Sequence, residues 1–362
     1  MPTTADRVRD LIRDSGMTQH DFAVAVGLDD SKLSKSLGGI RRFSSLDLAR
    51  IAELGRVSVD WLITGDEPPV AVAARTTGGS AKAALREAKR FTTMRSDLAS
   101  LGFRQPWNPV PAQHGGRAVD EGQMLAASAA ERIDPATCTD LATAVEQVFG
   151  VDVAIVPLGS DFDGLAASSE DAKLIVVGTS QVPGRQRFTL AHELGHLLAG
   201  DDHGVHLDRD VFEKAQRRDL TEMRANAFAS AFLMPEGRLR ESLRGSVPSE
   251  HAFAALACDL LVSPSTLAYR LLNLRLIDSG TCSRLAALSG AAAARIAGRS
   301  DEWVRRVSAA STARPPGLLT QDAYRAYEAG ATTLRPYANL LGIDVDALRD
   351  ALEAEAGAVG PP

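Results

Sequence analysis

The spacing of apolar and polar residues along the chain predicts a mainly helical protein with one short β region. Helical spacing begins near the N-terminus, stops in the Pro-, Gly- and Thr-rich stretch 66–82, and resumes at Ala83. Turn sequences separate three β-like runs, which lie at 151–157, 164–168 and 173–178. From Gln181 the spacing is helical again almost to the C-terminus.

These breaks divide the chain into several predicted units, because 362 residues exceed the length of a typical single core. The units are a small all-α domain over 1–66, a linker over 67–82, an α+β domain over 83–235, a helical subdomain over 236–310 and a terminal helical module over 318–362. Ahead of the sheet we expect helices over 83–101, 119–132 and 136–149. The predicted fold class is therefore multidomain and mainly α, with a small sheet in the second domain.

Composition and charge limit the classes of partner and the cellular compartment that we expect for the protein. The net charge is −6, so any surface that binds nucleic acid has to be local. Cys138, Cys258 and Cys282 are widely spaced and form no CxxC pair, which argues against a disulfide framework and fits a reducing compartment. The charged N-terminus lacks the apolar core of a signal peptide, and no apolar run reaches the ~18 residues that span a bilayer. We therefore expect a cytoplasmic protein that does not enter a membrane.

The stretch MTQHDFAVAVGLDDSKLSKSLGG (17–39) is typical of two short helices joined by a turn. Thr18 and Asp21 have the spacing of a capping box, and Asp29 or Asp30 can cap the second helix. Together with the following RRFSSLDLARIAELGRVSVDWLITGD, the stretch resembles the lambda-repressor-like (XRE) helix-turn-helix family. The resemblance covers the whole first domain.

This resemblance implies that the first domain binds a DNA operator, with its second helix in the major groove and flanking residues on phosphates. The implied base-facing residues are Ser31, Lys32, Ser34 and Lys35, and the implied phosphate contacts are Gln19, Arg41 and Arg42. Against this, residues 1–66 hold slightly more acidic than basic side chains. A protein-docking or dimerisation module is therefore the alternative, and a homodimer is left open.

The stretch FTLAHELGHLLAG (188–200) holds the most specific chemistry in the sequence. On a helix, the H-E-x-x-H pattern places His192 and His196 about 5 to 6 Å apart on one face, the spacing that two imidazoles need to bind one zinc ion. The leucines of the same stretch fall on the opposite face. The histidines therefore point away from the apolar stripe and need a function of their own.

A catalytic zinc site needs a third protein ligand, and two candidates compete. The HxxGxxH spacing of metzincins does not fit, because the glycine and the histidine each lie one position too far along the chain. The other candidate is Glu222 in TEMRANAFASAFLMPEG (221–237), where the small Ala225 and Ala229 would let a second helix approach closely. Asn226, one turn beyond, could accept a hydrogen bond from the second nitrogen of a ligating histidine.

The series QRFTLAHELGHLL, EMRANAFASAFLMP and LLVSPSTLAYRLLNLRLID resembles the ImmA/IrrE family of metallopeptidases. The resemblance spans roughly residues 120–280 and implies a zincin-like fold with one zinc ion per chain. It also implies that His192, His196 and Glu222 bind the zinc in a gluzincin-like set, and that Glu193 is the catalytic base.

Three further side chains near these motifs bear on the chemistry. Arg224 departs from the family pattern, in which this position is commonly acidic, but it is not an implied ligand. His203 and His206, in the loop GDDHGVHLD after the zinc helix, are candidates for stabilising the transition state. Simple solvation of loop histidines is the alternative.

These motifs and resemblances predict a cytosolic zinc endopeptidase. By family resemblance it would cleave a helix-turn-helix repressor, in cis or in trans, in response to stress, and so relieve transcriptional repression. The alternative is a DNA-binding regulator whose zincin-like domain senses a metal or a ligand and cleaves little. Two later segments, 253–274 and 337–352, echo the helix-turn-helix spacing, and we expect them to have structural or partner-binding roles.

Overall fold

The structure is a computed structural model, and it confirms the predicted mainly helical fold class with a small sheet. The residues it describes are 3–55, 57, 59–64, 71–74, 79–111, 115–158, 163–201, 211–244 and 246–358. The first domain consists of α1 (Thr4–Ser15), α2 (Gln19–Ala25), α3 (Asp30–Leu37), α4 (Ser45–Gly55) and α5 (Val59–Thr64). Phe22, Leu33 and Ile51 lie at the centre of its core. Thr18 and Asp29 cap α2 and α3 by accepting hydrogen bonds from backbone N–H groups.

A small mixed sheet forms the middle of the chain. Strands β2 (Asp152–Val156) and β4 (Lys173–Gly178) pair in parallel, and β3 (Gly164–Ser168) pairs antiparallel with β4. The second and third predicted strands coincide with β3 and β4. A further strand, β1 (Ala71–Ala74), lies outside β3, so the strand order is β1-β3-β4-β2. The segment predicted as a linker, 67–82, therefore contributes a strand to the sheet.

Helices cover both faces of this sheet. The next helices along the chain are α6 (Gly79–Ser100), α7 (Ala118–Ala130), α8 (Leu141–Phe149), α9 (Pro183–Ala199) and α10 (Val211–Leu233). Val153 and Ile175 belong to a core shared with α7 to α10, whereas Leu165 and Val176 belong to a second core shared with α6. Neighbouring residues of β4 enter different cores because successive side chains of a strand point to opposite faces of the sheet. Burial of both faces explains the uninterrupted apolar run in KLIVVG.

The helix predicted over 136–149 is wrong in its first part. Pro135–Thr137 form a short 3-10 helix, and α8 begins only at Leu141. Asp140 caps α8 by accepting a hydrogen bond from the Thr143 N–H at 3.0 Å. Because an N-cap residue has a non-helical backbone, the chain turns there and separates the two elements.

The described part of the C-terminal region consists of helices joined by short connections, one of which forms an isolated β-bridge between Arg314 and Ile155 of β2. Its helices are α11 (Glu236–Leu243), α12 (Glu250–Asp259), α13 (Pro264–Asn273), α14 (Ser279–Ala286), α15 (Gly290–Ile296), α16 (Ser300–Ala310), α17 (Gly317–Glu328), α18 (Arg335–Leu341) and α19 (Val345–Ala358). The axes of α12 and α13 are bent by 104°, an angle found in helix-turn-helix pairs. Among the described residues no single helix is long and apolar enough to cross a membrane, although α12 and α13 meet that length and composition test as a bent pair.

A buried ion cluster joins the terminal helices to the sheet. Arg95 on α6 donates two hydrogen bonds to Asp152 on β2, at 2.8 and 2.9 Å, and one to Asp322 on α17, at 2.6 Å. Arg95 is fully buried. Leu319 of α17 packs in the second core, together with Leu165 and Val176 of the sheet. Helix α17 therefore completes the cover of the sheet.

Candidate metal centre

The H-E-x-x-H motif lies on α9, which packs against β3 and β4 and is buried on both of its faces. Leu194 and Leu198 of the apolar stripe belong to the main core. On the other face, His192, Glu193 and His196 are only 1 %, 2 % and 3 % exposed. Burying three ionisable side chains together is costly unless partners or a ligand compensate. The burial therefore points to a functional cluster.

Two glycines let α10 approach α9 and α7 closely. A Cβ at Gly195 of the HELGH motif would lie 2.9 Å from the Phe228 ring on α10. A Cβ at Gly122 on α7 would lie 2.4 Å from the carbonyl oxygen of Arg224. Ala225, one of the small residues expected at this contact, is 1 % exposed. This close packing brings the third predicted ligand, on α10, up to the histidines.

Three side chains present their ligand atoms to one point. The Nε2 atoms of His192 and His196 are 3.1 Å apart. The carboxylate oxygens of Glu222 lie 3.4 Å from Nε2 of His192 and 3.6 Å from Nε2 of His196. Ligand atoms about 2.1 Å from a tetrahedral ion lie about 3.4 Å from one another. The three predicted ligands therefore form a site that fits a small divalent cation.

The charges around the histidines favour a cation as well. Burial would lower the pKa of His196, but a hydrogen bond to Asp201 and the charges of Glu193, Asp201 and Glu222 outweigh it and raise this pKa above its ordinary value. A bound divalent cation would neutralise the excess of negative charge. Geometry and electrostatics thus point to the same kind of occupant.

Asp201 holds the ring of His196 in place. Helix α9 ends at Ala199, the φ of 67° at Gly200 turns the chain back, and the Asp201 N–H donates to the His196 carbonyl at 3.0 Å. One carboxylate oxygen of Asp201 lies 3.3 Å from Nδ1 of His196. When Nδ1–H donates to that carboxylate, the lone pair of Nε2 is directed at the metal position. Asp201 was not among the site residues predicted from the sequence, although the Gly-Asp pair directly after the helix was a signal.

Arg224 connects Asp201 to a third helix. Its guanidinium donates one hydrogen bond to Asp201 and another to Glu121 on α7, the latter at 2.8 Å. Glu121 also accepts hydrogen bonds from the N–H groups of Gly115 and Gly116, at 2.9 and 3.1 Å. The hydrogen bond from Arg224 is the largest of the contacts that lower the pKa of Glu121. The departure from the family pattern at Arg224 thus places a cation between two carboxylates.

Replacing Arg224 by Ala should weaken metal binding about 10- to 100-fold, because Asp201 would lose the contact that holds it against His196. Titration against a chromophoric chelator measures this affinity. Arg240→Ala on α11 is the matched control, since Arg240 forms an exposed ion pair with Glu236 that contributes little. Equal metal affinity in the two variants would contradict the positioning role of Arg224.

Comparison with known proteins bears directly on this region. Residues 146–272 match the Peptidase_M78 family model, described as the IrrE N-terminal-like domain. Over these residues the chain is similar to the IrrE N-terminal-like domain. The segment contains both histidines and Glu222 of the metal centre, and we refer to it below as the IrrE-like domain.

The chain is similar to two curated proteins, each named Radiation response metalloprotease IrrE. The protein from Deinococcus radiodurans is 39% identical over 123 residues, which cover 34% of this chain and 37% of that protein. The protein from Deinococcus deserti is 34% identical over 123 residues, which cover 34% of this chain and 43% of that protein. The chain thus spans less than half the length of these relatives, and the similarity concerns the IrrE-like domain.

Two of the predicted site residues in the IrrE-like domain lie close to the ligands. Glu193 lies beside Gly164, the first residue of β3, where a Cβ would be 3.2 Å from Oε1 of the glutamate. Asn226 is half-buried on α10, one turn beyond Glu222. Asp201 approaches Nδ1 of His196. The hydrogen bond expected from a ligating histidine to Asn226 stays a prediction.

The loop histidines His203 and His206 lie outside the described residues, so their predicted role in stabilising the transition state is not tested by the structure.

The predicted DNA-contact residues lie on the first domain. The exposed ones are Gln19, Ser31, Lys32, Ser34, Lys35 and Arg42. Arg41 is half-buried and forms an ion pair with Asp47 at 2.8 Å. Lys32 pairs with Asp29 at 3.0 Å. The other two basic side chains of the set are Lys35, implied to face the bases, and Arg42, implied to contact a phosphate, and the assignment of all seven residues to DNA stays a prediction.

Proposed function

We propose that this chain is a zinc-dependent endopeptidase that cleaves a helix-turn-helix repressor, in cis or in trans, and thereby relieves transcriptional repression. The observation that carries the proposal is the convergence of His192, His196 and Glu222, with ligand atoms 3.1 to 3.6 Å apart and Glu193 buried beside them. Two imidazoles and one carboxylate are a common ligand set of catalytic zinc, which keeps a fourth position open.

The side chains of the centre have distinct tasks in this mechanism. Zinc bound by His192, His196 and Glu222 would supply Lewis acidity and lower the pKa of a water molecule towards about 7. Glu193, which is not a ligand, accepts a proton from the attacking water and later donates it to the leaving amine. The C–N bond of the peptide breaks, the water oxygen stays with the new carboxylate, and the amine leaves with the proton.

The similarity to two proteins named as radiation response metalloproteases supports both the activity and a link to stress. The resemblance of the first domain to the XRE family supports an operator as one partner. It also supports a repressor of the same kind as the substrate, because the module would bring the centre to DNA-bound regulators. We expect this chemistry to take place in the cytoplasm.

Zinc should stabilise the metal-free protein strongly. Free zinc at about 1,000 times its Kd adds about 4 kcal/mol to the free energy of unfolding, because only the folded chain presents the three ligands together. Differential scanning fluorimetry with zinc or magnesium measures the effect, and magnesium should have little, since it prefers oxygen ligands. Glu222→Gln should show a much smaller shift with zinc. Equal shifts in this variant and the wild type would exclude Glu222 as a ligand.

The proposed activity is tested by incubating the zinc-loaded protein with purified helix-turn-helix repressors encoded by neighbouring genes. Cleavage that a chelator abolishes and zinc restores is the expected result. Stoichiometric zinc without cleavage of any repressor would favour a DNA-binding regulator whose IrrE-like domain senses metal. The deep burial of His192 and His196 suits that alternative as well.

The double substitution Lys35→Ala and Arg42→Ala should weaken operator binding by removing a base-facing cation and a phosphate contact, and the loss of the Arg42 contact should reduce the slope of log K against log[salt] by roughly one. Fluorescence anisotropy over a salt series measures both effects. Arg13→Ala is the control, because Arg13 is an exposed cation on α1 in an ion pair with Asp10. If affinity and slope stay at the wild-type values, these residues do not contact DNA.

A further inference from the structure

Strand β3 lies directly beside Glu193. Its first residue, Gly164, is so close that a Cβ would lie 3.1 Å from Cγ and 3.2 Å from Oε1 of the glutamate. Strand β4 occupies one edge of β3. The opposite, outer edge of β3 therefore begins next to the carboxylate that the proposed mechanism uses.

Strand β1 occupies this outer edge. It runs antiparallel to β3, with Ala71 opposite Ser168 and Ala74 opposite Leu165. Among the described residues, the pairing therefore reaches to within one residue of the glycine that lies beside Glu193. Strand edges bind extended chains through backbone N–H and C=O groups and need no particular side chains for it. A segment of the chain itself thus lies where an extended peptide would reach the centre.

We propose that the outer edge of β3 is the peptide-binding edge of the metal centre and that β1 occupies it in cis, so that a substrate segment binds by displacing β1. The inference rests on the proposed peptidase function. The occupant belongs to the segment 67–82, which joins the predicted DNA-binding domain to the rest of the chain. Access to the centre is therefore linked to that segment.

The extent to which β1 weakens the binding of a free peptide follows from the effective concentration of the tethered strand. A tethered strand on a short flexible connection competes at an effective concentration of about 1 mM. If a free peptide of the same sequence has a Kd of about 0.1 mM for the edge, the tethered strand weakens its binding about tenfold. Removing β1 from the edge should therefore raise the affinity for the free peptide about tenfold.

The first test measures binding of a fluorescein-labelled peptide, PVAVAARTTG, which has the sequence of residues 69–78. Every chain carries Glu193→Gln, so that the peptide is not cleaved, and is loaded with zinc. The double substitution Val72→Pro and Ala73→Pro removes two adjacent N–H groups, one of which points towards β3 in any antiparallel register. The matched control, Val72→Thr and Ala73→Thr, changes the same positions but keeps both N–H groups and a strand-forming backbone.

Fluorescence anisotropy should show the proline variant binding the peptide about tenfold more tightly than the parent, and the threonine control binding like the parent. Equal affinity in all three chains would overturn the proposal, because β1 would then not compete for the edge.

The second test links β1 to β3 covalently. In separate variants, cysteines replace the paired residues Ala73 and Ala166, or Val72 and Ala167. Cα atoms of such pairs lie about 4.5 to 5.5 Å apart, which is within the range of a disulfide. Oxidised glutathione should form the cross-link in at least one variant, and peptide binding should then fall at least tenfold and return on reduction. Single-cysteine variants are the controls for the native thiols.

Peptide mapping under non-reducing conditions detects the cross-link without any need for activity. Absence of a cross-link in both pairs, or full peptide binding in a cross-linked chain, would overturn the proposal. A cross-link that blocks peptide binding supports the edge assignment even when no repressor is cleaved. In that case the proposed peptidase function fails and the edge assignment stands.

Discussion

Replacing Glu193 by Gln should leave zinc bound and slow peptide hydrolysis by about 100- to 10,000-fold. Glutamine has the size of glutamate but cannot accept the proton of the attacking water. Because Glu193 is not one of the three ligands, the distances among His192, His196 and Glu222 should survive the change. The loss should therefore appear in kcat at unchanged metal content, as expected for an interaction made in the transition state.

Steady-state cleavage of a repressor, together with metal analysis of the same sample, measures both quantities. Glu170→Gln is the matched control, because Glu170 is exposed in the turn between β3 and β4. It should cleave at the wild-type rate. Wild-type cleavage by Glu193→Gln would remove this residue from the mechanism, whereas loss of zinc would show that it supports the metal site.

Replacing Arg95 by Met should destabilise the fold by about 3 to 5 kcal/mol, because it leaves the buried carboxylate of Asp152 without its cation and removes from Asp322 the closer of its two arginine partners. For a unit of 150 to 250 residues this corresponds to a fall in melting temperature of about 6 to 20 °C. Thermal unfolding followed by circular dichroism measures the change.

A control substitution on the same helix separates the effect of burial from the loss of one positive charge. Arg86 is exposed on α6, so Arg86→Met should cost less than about 1 kcal/mol. Removing both acids along with Arg95, by Asp152→Leu and Asp322→Leu, should recover much of the lost stability, since no unpaired charge remains. An Arg95→Met protein as stable as Arg86→Met would mean that the cluster does not hold α17 to the sheet.

The ion cluster also shows how the predicted boundaries relate to packing. The terminal module was predicted over 318–362 because a Pro-rich break precedes it. In the structure, Asp322 and Leu319 of α17 pack against the sheet. A break in composition marks a turn in the chain, but it carries no information on what the next helix packs against.

The same distinction applies to the metal centre. The sequence by itself determined that His192 and His196 share a face, because helix periodicity is a local property of the backbone. Glu222 followed from a motif within one helical segment. By contrast, Asp201 reaches His196 through the left-handed turn at Gly200, and an HExxH pattern does not encode that turn.

Long-range partners were decided only by the tertiary structure. Arg224 meets Glu121 across 103 positions of sequence, and Arg95 meets Asp322 across 227. The predicted metal ligands and the proposed catalytic base could be identified from the sequence, because each motif lies within a few turns of one helix. Packing of α7, α9 and α10 decided which side chains orient them, and pairing of β1 with β3 decided which segment lies beside the centre. Such contacts depend on how elements distant in sequence fit together, and local periodicity does not record that fit.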